Sequence, residues 1–195
     1  MKIYILLTDT GSMLTRAIKL YTKKPYNHVS ISFNEDLTDI YSFGRKMPSN
    51  PFIGGFVKED LNTQIFKEAG CAIYSYEVTE QQYNQMLYKV REMENERNLY
   101  RYNFIGLLAA MAHLEIHRKY AYFCSQFVAM ILQEGDIYVA DKPICFTSPY
   151  DIQACNKMEL VFEGPLKKYL RMQREEYEMD YNTEESFLES WLKFL

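Results

Sequence analysis

The alternation of polar and apolar residues between His28 and Phe33 limits the possible folds more than any other feature of this chain. His28, Ser30 and Ser32 alternate with three apolar residues, so the segment has one polar and one apolar face when it is extended. The polar residues 34–38 and a second β-prone segment, residues 39–43, follow directly. This pattern predicts a β-hairpin whose apolar face packs in a core.

Further strands and helices are predicted along the chain. Strands are predicted at Lys2–Leu7, Cys71–Val78 and Glu159–Glu163. Helices are predicted after the capping residues Ser12, Thr79, Asn103 and Ser148, and the one that follows Asn103 should end near Leu114. A further helix is predicted from Cys124 to Leu132. The glycines and prolines between Gly44 and Gly55 predict a long loop that would act as a lid or a groove wall.

Length and composition indicate one globular domain and argue against several classes of protein. The 195 residues suffice for a single core, and a net charge of -4 without a basic stripe argues against nucleic acid as a partner. The longest apolar stretch, residues 104–114, is too short for a transmembrane segment. We expect a cytoplasmic location because no signal-peptide pattern opens the sequence. The four cysteines have no C-x-x-C spacing that would indicate a zinc ribbon.

Cys124 is the strongest candidate for a nucleophile. It follows an extended aromatic segment, residues 120–123, and begins an apolar helix that Gly135 should end. The helix dipole and the free N–H groups of the first turn favour a thiolate, which is the nucleophilic form of cysteine. The same N–H groups can stabilise an oxyanion. The alternative role for Cys124 is that of an ordinary buried residue.

His28 is the candidate base, because it begins the alternating strand on its polar face, beside small serines. An imidazole in this position can accept the proton of a thiol. A surface histidine at the end of a hairpin is the alternative. His113 and His117 have the spacing of metal ligands on a helix, but no H-E-x-x-H motif accompanies them. We therefore expect neither a metal nor an organic cofactor.

The histidine and cysteine motifs resemble those of a known family. His28 lies in Pro25–Ile31, and Cys124 lies later in the chain in Tyr122–Val128. This order resembles the circularly permuted NlpC-type cysteine peptidases, a bacterial group of papain-like thiol proteases that includes the YiiX-like proteins. The group is related to the lecithin retinol acyltransferase family. In ordinary papain-like enzymes the cysteine helix comes first, and here the order is reversed. The similarity covers about residues 2–170 and extends to Tyr102–Gly106 and Lys142–Asp151.

The resemblance implies an α+β, permuted papain-like fold. A small antiparallel sheet would pack against the helix that bears Cys124 at its N-terminus, with His28 pointing from the sheet towards the sulfur. Family members usually set a third polar residue on the strand after the histidine, where Ser42 is the nearest candidate for an orienting group. Tyr41 takes that place if the register differs by one. Tyr41, Arg45 and Tyr102 are candidate substrate-binding residues because they lie close to these motifs.

The C-terminal residues are interpreted separately. Residues 1–170 are assigned to the papain-like domain and residues 171–195 to an acidic, amphipathic tail helix that Asn182 can cap. This helix is expected to dock on its own domain. Binding of a partner, or of a second copy of the chain to give a homo-oligomer, is the alternative.

These observations predict a thiol hydrolase that uses no cofactor. Cys124 would attack the carbonyl of an amide, peptide or isopeptide bond, and His28 would pass a proton to the leaving group while an acyl-enzyme forms. Small peptides or acylated amines are the expected substrates. One alternative is an acyltransferase of the same fold. The other is a non-catalytic binding module with a degraded site, because no strong orienting residue follows His28 on the next predicted strand.

Overall fold

The computed structural model describes residues 1–10, 24–47 and 50–192, and the side chains of these residues except at positions 45, 47, 50–52, 180 and 182–192. The strands are β1 (Lys2–Asp9), β2 (His28–Ser32), β3 (Ile40–Met47), β4 (Asn50–Lys58), β5 (Gly70–Glu77), β6 (Arg101–Tyr102), β7 (Ala121–Tyr122) and β8 (Glu159–Pro165). The α-helices are α1 (Gln64–Lys67), α2 (Glu80–Asn95), α3 (Phe104–Met111), α4 (Cys124–Glu134), α5 (Pro149–Gln153) and α6 (Leu166–Leu192), and Ile144–Phe146 form a 3-10 helix. The described chain is therefore a mixed α+β protein.

Six of the strands form one antiparallel sheet in the order β4-β3-β2-β1-β5-β8, and β6 and β7 form a separate parallel pair. In the register of β1 and β2, His28 pairs with Thr8 and Ser30 pairs with Leu6. The next strand, β3, pairs with β2 in antiparallel orientation. The predicted alternating strand and its hairpin are therefore confirmed, as are the strands predicted near both ends and in the middle of the chain.

The segment Gly44–Gly55 is not the loop that its glycines and prolines predicted. Strand β3 continues through it to Met47, and β4 begins at Asn50. Gly54 allows other segments to approach β4 closely: a Cβ atom there would lie 2.8 Å from the carbonyl oxygen of Gly44 and 2.8 Å from Cβ of Tyr102. The prediction was wrong because glycine here serves close packing inside a hairpin rather than a turn.

The two faces of the sheet bury separate cores. Ile5 and Leu7 of β1 lie in the core shared with α2 and α4, whereas Leu6 lies in the core shared with α1 and α6. All three residues are fully buried, which explains the continuous apolar run of β1 in the middle of the sheet. Helix α4 packs against β2 and β3, and this contact brings its first residue near His28.

The predicted capping residues begin three of the helices. Thr79 and Ser148 form capping boxes at α2 and α5, and the side chain of Asn103 accepts a hydrogen bond from the third residue of α3. Helix α3 ends at Met111, three residues before the predicted end. The chain turns there because His113 has a φ of 57° and the N–H of Leu114 bonds back to Ala109. The helix predicted after Ser12 lies outside the described residues.

The tail is part of a helix that starts earlier than predicted. Helix α6 runs from Leu166 to Leu192, so residues 170 and 171 lie within one helix and Asn182 does not begin it. Leu166 and Tyr169 are buried against the sheet, whereas Tyr177 is exposed. Across the described residues, no helix combines the length and apolar character that a bilayer crossing requires.

Candidate active site

The end of β1 fixes the start of β2, where His28 lies. Asn27 is buried, its N–H donates to the carbonyl oxygen of Thr8 at 3.1 Å, and its side-chain Nδ2 donates to Asp9 Oδ1 at 2.8 Å. Asn27 therefore ties the residue before His28 to the neighbouring strand through both backbone and side chain. These contacts fix the backbone at the start of β2, so the imidazole of His28 projects from a defined position at the end of the sheet.

The imidazole of His28 is paired with Glu59, the residue directly after β4. His28 Nε2 lies 2.7 Å from Glu59 Oε1, and the two side chains are only 13% and 5% exposed. Ser30 donates a hydrogen bond to Glu59 Oε2 at 2.6 Å, and Ser42 donates one to Oε1 at 2.6 Å. Three donors from β2 and β3 thus hold one carboxylate, which leaves it little freedom to turn.

The charges of this pair perturb the pKa values of both groups. Burial alone would lower the pKa of His28, but the Glu59 carboxylate and hydrogen bonds to Cys124 and Glu59 outweigh it and raise the pKa to about 10. Burial raises the pKa of Glu59, but the charge of His28 and the hydrogen bonds from His28, Ser30 and Ser42 lower it overall. The stable state at neutral pH is therefore an imidazolium beside a carboxylate.

Cys124 is the second neighbour of this imidazole. It is the first residue of α4, follows Phe123 in extended conformation, and is 6% exposed. Its side chain is one of the groups that raise the pKa of His28, so the thiol lies close to the imidazole. The N–H groups of the first turn of α4, which begins at Cys124, have no acceptor within the helix.

Tyr102 borders the thiol from the β6–β7 pair. It pairs with Tyr122, two residues before Cys124, in the short parallel ladder. Burial and the charge of Cys124 raise the pKa of Tyr102 well above its usual value of 10.0, so its phenol remains a neutral hydrogen-bond donor. Of the residues predicted to bind substrate, Tyr102 is therefore the one that the described structure places next to the cysteine.

Ser42 does not occupy the place predicted for it. Its hydroxyl donates to Glu59 rather than to His28, so it supports the residue that pairs with the imidazole. The backbone of Arg45 lies opposite Gly54 in the β3–β4 ladder, and its side chain is outside the described part of the structure.

Tyr41 lies apart from the site. Its ring is fully buried and stacks on Phe56 with ring centres 5.8 Å apart. Its hydroxyl donates to Asp39 Oδ1 at 2.6 Å, and Arg91 of α2 contacts the same hydroxyl. A ring enclosed in this way is not accessible to a substrate, and it points away from the imidazole that an orienting residue would contact.

Glu59 is the site residue that the sequence analysis missed. The expected position of a third residue was on the strand directly after His28, but Glu59 follows the second strand after it. The available signal was the short apolar, β-prone pair Phe56 and Val57, which is followed directly by the charged Lys58 and Glu59. Because Gly44–Gly55 was predicted to be a loop, strand β4 and the carboxylate at its end were not predicted.

The other candidate metal and thiol groups are arranged differently. His117 Nε2 pairs with Glu115 Oε1 at 2.8 Å on an exposed segment. Within the described ranges, no group of three or more His, Cys, Asp and Glu side chains converges as a metal site. Cys71 and Cys145 are buried, Cys155 is half-buried, and all four cysteines are free thiols.

Scans of protein-family models, of curated proteins and of solved structures each found no match to this chain.

Proposed function

We propose that the chain is a thiol hydrolase that cleaves an amide, peptide or isopeptide bond through Cys124. The observation that supports this function is that one imidazole has two partners: His28 pairs with Glu59 at 2.7 Å, and Cys124 is close enough to raise the pKa of the same ring. A thiol, a base and an orienting carboxylate in this order form a nucleophilic triad. The start of α4 adds N–H groups where an oxyanion would develop.

The raised pKa of His28 defines the resting state of such a site. With a pKa of about 10, the imidazole holds a proton at neutral pH and can pass it to a leaving group. The thiolate adds to the substrate carbonyl, and the negative charge moves to the carbonyl oxygen. His28 then donates its proton to the leaving amine, and a thioester forms with Cys124. Water, deprotonated by His28, hydrolyses the thioester, which releases the carboxylic acid and restores the thiolate and the protonated imidazole.

The fold proposed for this activity is the permuted papain-like arrangement. In that arrangement an antiparallel sheet carries the histidine, and a later helix carries the cysteine at its first residue. The order of these two elements along this chain and the packing of α4 on the sheet both support it. His28 and Cys124 lie on different elements, so neither residue by itself indicates this fold or this activity. An acyltransferase would share every step up to the thioester and differ only in using an amine or alcohol in place of water.

The rate of thiol alkylation tests this proposal without knowledge of the substrate. At pH 6, iodoacetamide should modify Cys124 faster than the half-buried Cys155, although Cys124 is the less exposed of the two. The His28→Ala variant should lose this advantage because the imidazolium no longer stabilises the thiolate. Peptide mapping by mass spectrometry measures the modified fraction at each cysteine over time. Equal rates at Cys124 and Cys155 in the wild type would remove the nucleophile from the proposal.

Turnover is tested with a library of fluorogenic peptide amides and acyl amides. The wild type should release fluorophore, and intact mass spectrometry of a rapidly quenched sample should show an acyl group on Cys124. Cys124→Ala is the inactive reference, and Cys155→Ala is the matched control because it removes a free thiol outside the site. Alkylation that is fast at Cys124 without any acyl adduct or turnover would favour the non-catalytic alternative.

A further inference from the structure

The chain between β6 and β7 starts and ends at the same point of the fold. The N–H of Arg101 donates to the carbonyl oxygen of Tyr120 at 2.9 Å, and the N–H of Asn103 donates to that of Tyr122 at 2.9 Å. These two hydrogen bonds close the base of residues 103–119, which are called the α3 segment below. Its helix packs on one side against the 3-10 helix that follows α4.

The opposite side of α3 is an exposed apolar face. The helix contains no polar side chain. Gly106 and Ala109 are buried, whereas Ile105 and Leu108 are 55% and 63% exposed. Ile105 and Leu108 are three residues apart and therefore lie on the same face of the helix. A helix that is apolar all round is normally buried all round, so this face lacks the cover that its composition requires.

The apolar surface continues beyond the end of the helix. The N–H of Leu114 donates to the carbonyl oxygen of Ala109 at 2.8 Å, which holds Leu114 close to the last turn. Leu114 and Ile116 are 60% and 36% exposed. Four aliphatic side chains between positions 105 and 116 are thus open to solvent. A cluster of this kind, bordered by polar residues, marks a contact with another protein or with a membrane.

The base of the α3 segment is positively charged. Arg101, Arg118 and Lys119 are exposed, and none of them forms an ion pair with a residue that the structure describes. They enter and leave the segment where its two ends meet, so they border the apolar surface from one side. Glu115 is the one carboxylate in the sequence of the segment, and it lies 2.8 Å from Nε2 of His117. This part of the chain therefore carries a positive charge, although the net charge of the whole chain is -4.

The size and charge of this surface favour a lipid bilayer over a protein partner. A stable protein interface buries roughly 800 Å² on each side. Four partly exposed side chains offer only a few hundred Å². A second copy of the chain, bound about a two-fold axis, would also bring the three cations against their own equivalents. A bilayer with anionic lipids complements both features, because aliphatic side chains enter its interfacial layer while cations stay with the headgroups.

We infer that the α3 segment docks on the surface of a membrane that contains anionic lipids. The four aliphatic side chains enter the interfacial layer, and the three cations contact lipid phosphate groups. The helix lies on the bilayer and does not cross it, since its 8 residues are too few. Each cation close to an anionic surface strengthens binding by about fivefold. The inference is independent of the thiol chemistry, so Cys124→Ala should bind vesicles as the wild type does.

Sedimentation with lipid vesicles tests the inference on the full chain. Vesicles of phosphatidylcholine and phosphatidylglycerol, mixed at about two to one, should bind the wild type roughly tenfold or more tightly than phosphatidylcholine alone. Added salt should weaken this binding. Arg118→Ala with Lys119→Ala should reduce binding to the mixed vesicles by roughly tenfold or more. Lys157→Ala with Lys168→Ala removes the same charge from other exposed positions and should bind as the wild type does.

The apolar face is tested by a second pair of variants. Ile105→Gln with Leu108→Gln should reduce binding to the mixed vesicles by roughly tenfold or more. Leu160→Gln with Val161→Gln is the matched control, because these residues are 53% and 40% exposed on β8, and it should bind as the wild type does. Insertion is measured with Leu108→Trp combined with Trp191→Phe. The emission of this variant should shift to shorter wavelength on the mixed vesicles and be quenched by lipids brominated on their acyl chains.

Three results would overturn the inference. The first is a wild type that does not bind the mixed vesicles, or binds them no better than either double variant of the α3 segment. The second is binding without quenching in the Leu108→Trp variant, because the apolar face then stays outside the bilayer. The third is a dimeric wild type, seen by sedimentation equilibrium, that becomes monomeric in Ile105→Gln with Leu108→Gln. In that case the face is an interface between two copies of the chain.

Discussion

Ser42 and Glu59 are joined by a hydrogen bond of 2.6 Å, and the accepting oxygen, Oε1, is the one that lies 2.7 Å from His28 Nε2. The serine therefore acts on the imidazole only through the carboxylate. Ser30 holds the second oxygen of Glu59 in the same way. The orientation of His28 thus depends on a carboxylate at the end of β4 and on two buried hydroxyl groups that fix its plane.

Replacing Glu59 tests whether the carboxylate sets the protonation of His28. Glu59→Gln keeps the size of the side chain but removes the charge that raises the pKa of His28 to about 10. The pKa of His28 should fall by about one unit or more, and the pH above which the imidazolium no longer accelerates the alkylation of Cys124 should fall by the same amount. NMR titration of the imidazole resonances measures the pKa, and iodoacetamide measures the rate.

Glu35→Gln is the matched control for this substitution. Glu35 also accepts a hydrogen bond from a buried side chain, the hydroxyl of Tyr4, at 3.0 Å, but it has no contact with His28. The control should leave both the titration of His28 and the rate at Cys124 unchanged. A His28 pKa that is the same in Glu59→Gln and in the wild type would show that the pair does not control the imidazole.

Ser42→Ala should weaken the site less than the loss of Glu59. The buried hydroxyl donates one of the three hydrogen bonds to the carboxylate, and its removal should cost about 1–2 kcal/mol of unfolding free energy. Ser32→Ala is matched in burial and in hydrogen bonding, since Ser32 donates to Asn34 rather than to Glu59. Urea unfolding should show similar losses for both variants. Only Ser42→Ala should slow the alkylation of Cys124, and equal slowing in both would contradict a role through Glu59.

Much of the fold follows from local sequence patterns, and the third site residue does not. The strand that begins at His28 has a strict alternation, and Thr79 and Ser148 begin helices through capping boxes that depend on residues only three positions away. Such features depend on residues that are close together in sequence, so the sequence alone predicts them. The prediction that Gly54 lies in a loop was wrong, because glycine is required there by the close approach of Tyr102, which is distant in sequence. Glu59 was missed for the same reason, since its partner His28 lies on another strand.

The pH dependence of stability should report the His28–Glu59 pair. The pKa of His28 rises from an ordinary value of 6.5 to about 10 on folding, so the pair stabilises the folded state fully below pH 6.5. This stabilisation should decline as the pH rises through 10. On the acid side the pKa of Glu59 is lowered from 4.5, so the stabilisation is complete above that pH and is lost as the pH falls further. The window of full effect therefore lies between about 4.5 and 6.5.

Urea unfolding of the wild type and of His28→Gln at pH 6, 8 and 10 measures this effect. The difference in unfolding free energy between the two proteins should be largest at pH 6 and should shrink towards pH 10, because other titrating groups contribute equally to both. A difference that stays constant over this range would mean that His28 keeps the same protonation in the folded and unfolded chain.

Gly54→Ala should disturb the position of Tyr102 and with it the surroundings of Cys124. A Cβ atom at Gly54 would lie 2.8 Å from a backbone oxygen and 2.8 Å from Cβ of Tyr102, and neither atom belongs to the flexible end of a side chain. Strand β4 or strand β6 must therefore move. We expect a loss of about 1–3 kcal/mol of unfolding free energy, as for other overpacked sites.

Gly70→Ala is the control for this substitution, because no heavy atom lies within 4 Å of the position of its Cβ and Gly70 does not have a positive φ. It should be neutral or slightly stabilising, since alanine restricts the unfolded chain. The alkylation rate of Cys124 should change in Gly54→Ala alone, because Tyr102 is the buried neighbour whose pKa responds to the charge of Cys124. Unaltered stability and an unaltered rate in Gly54→Ala would show that the β4–β6 contact does not hold Tyr102 beside the thiol.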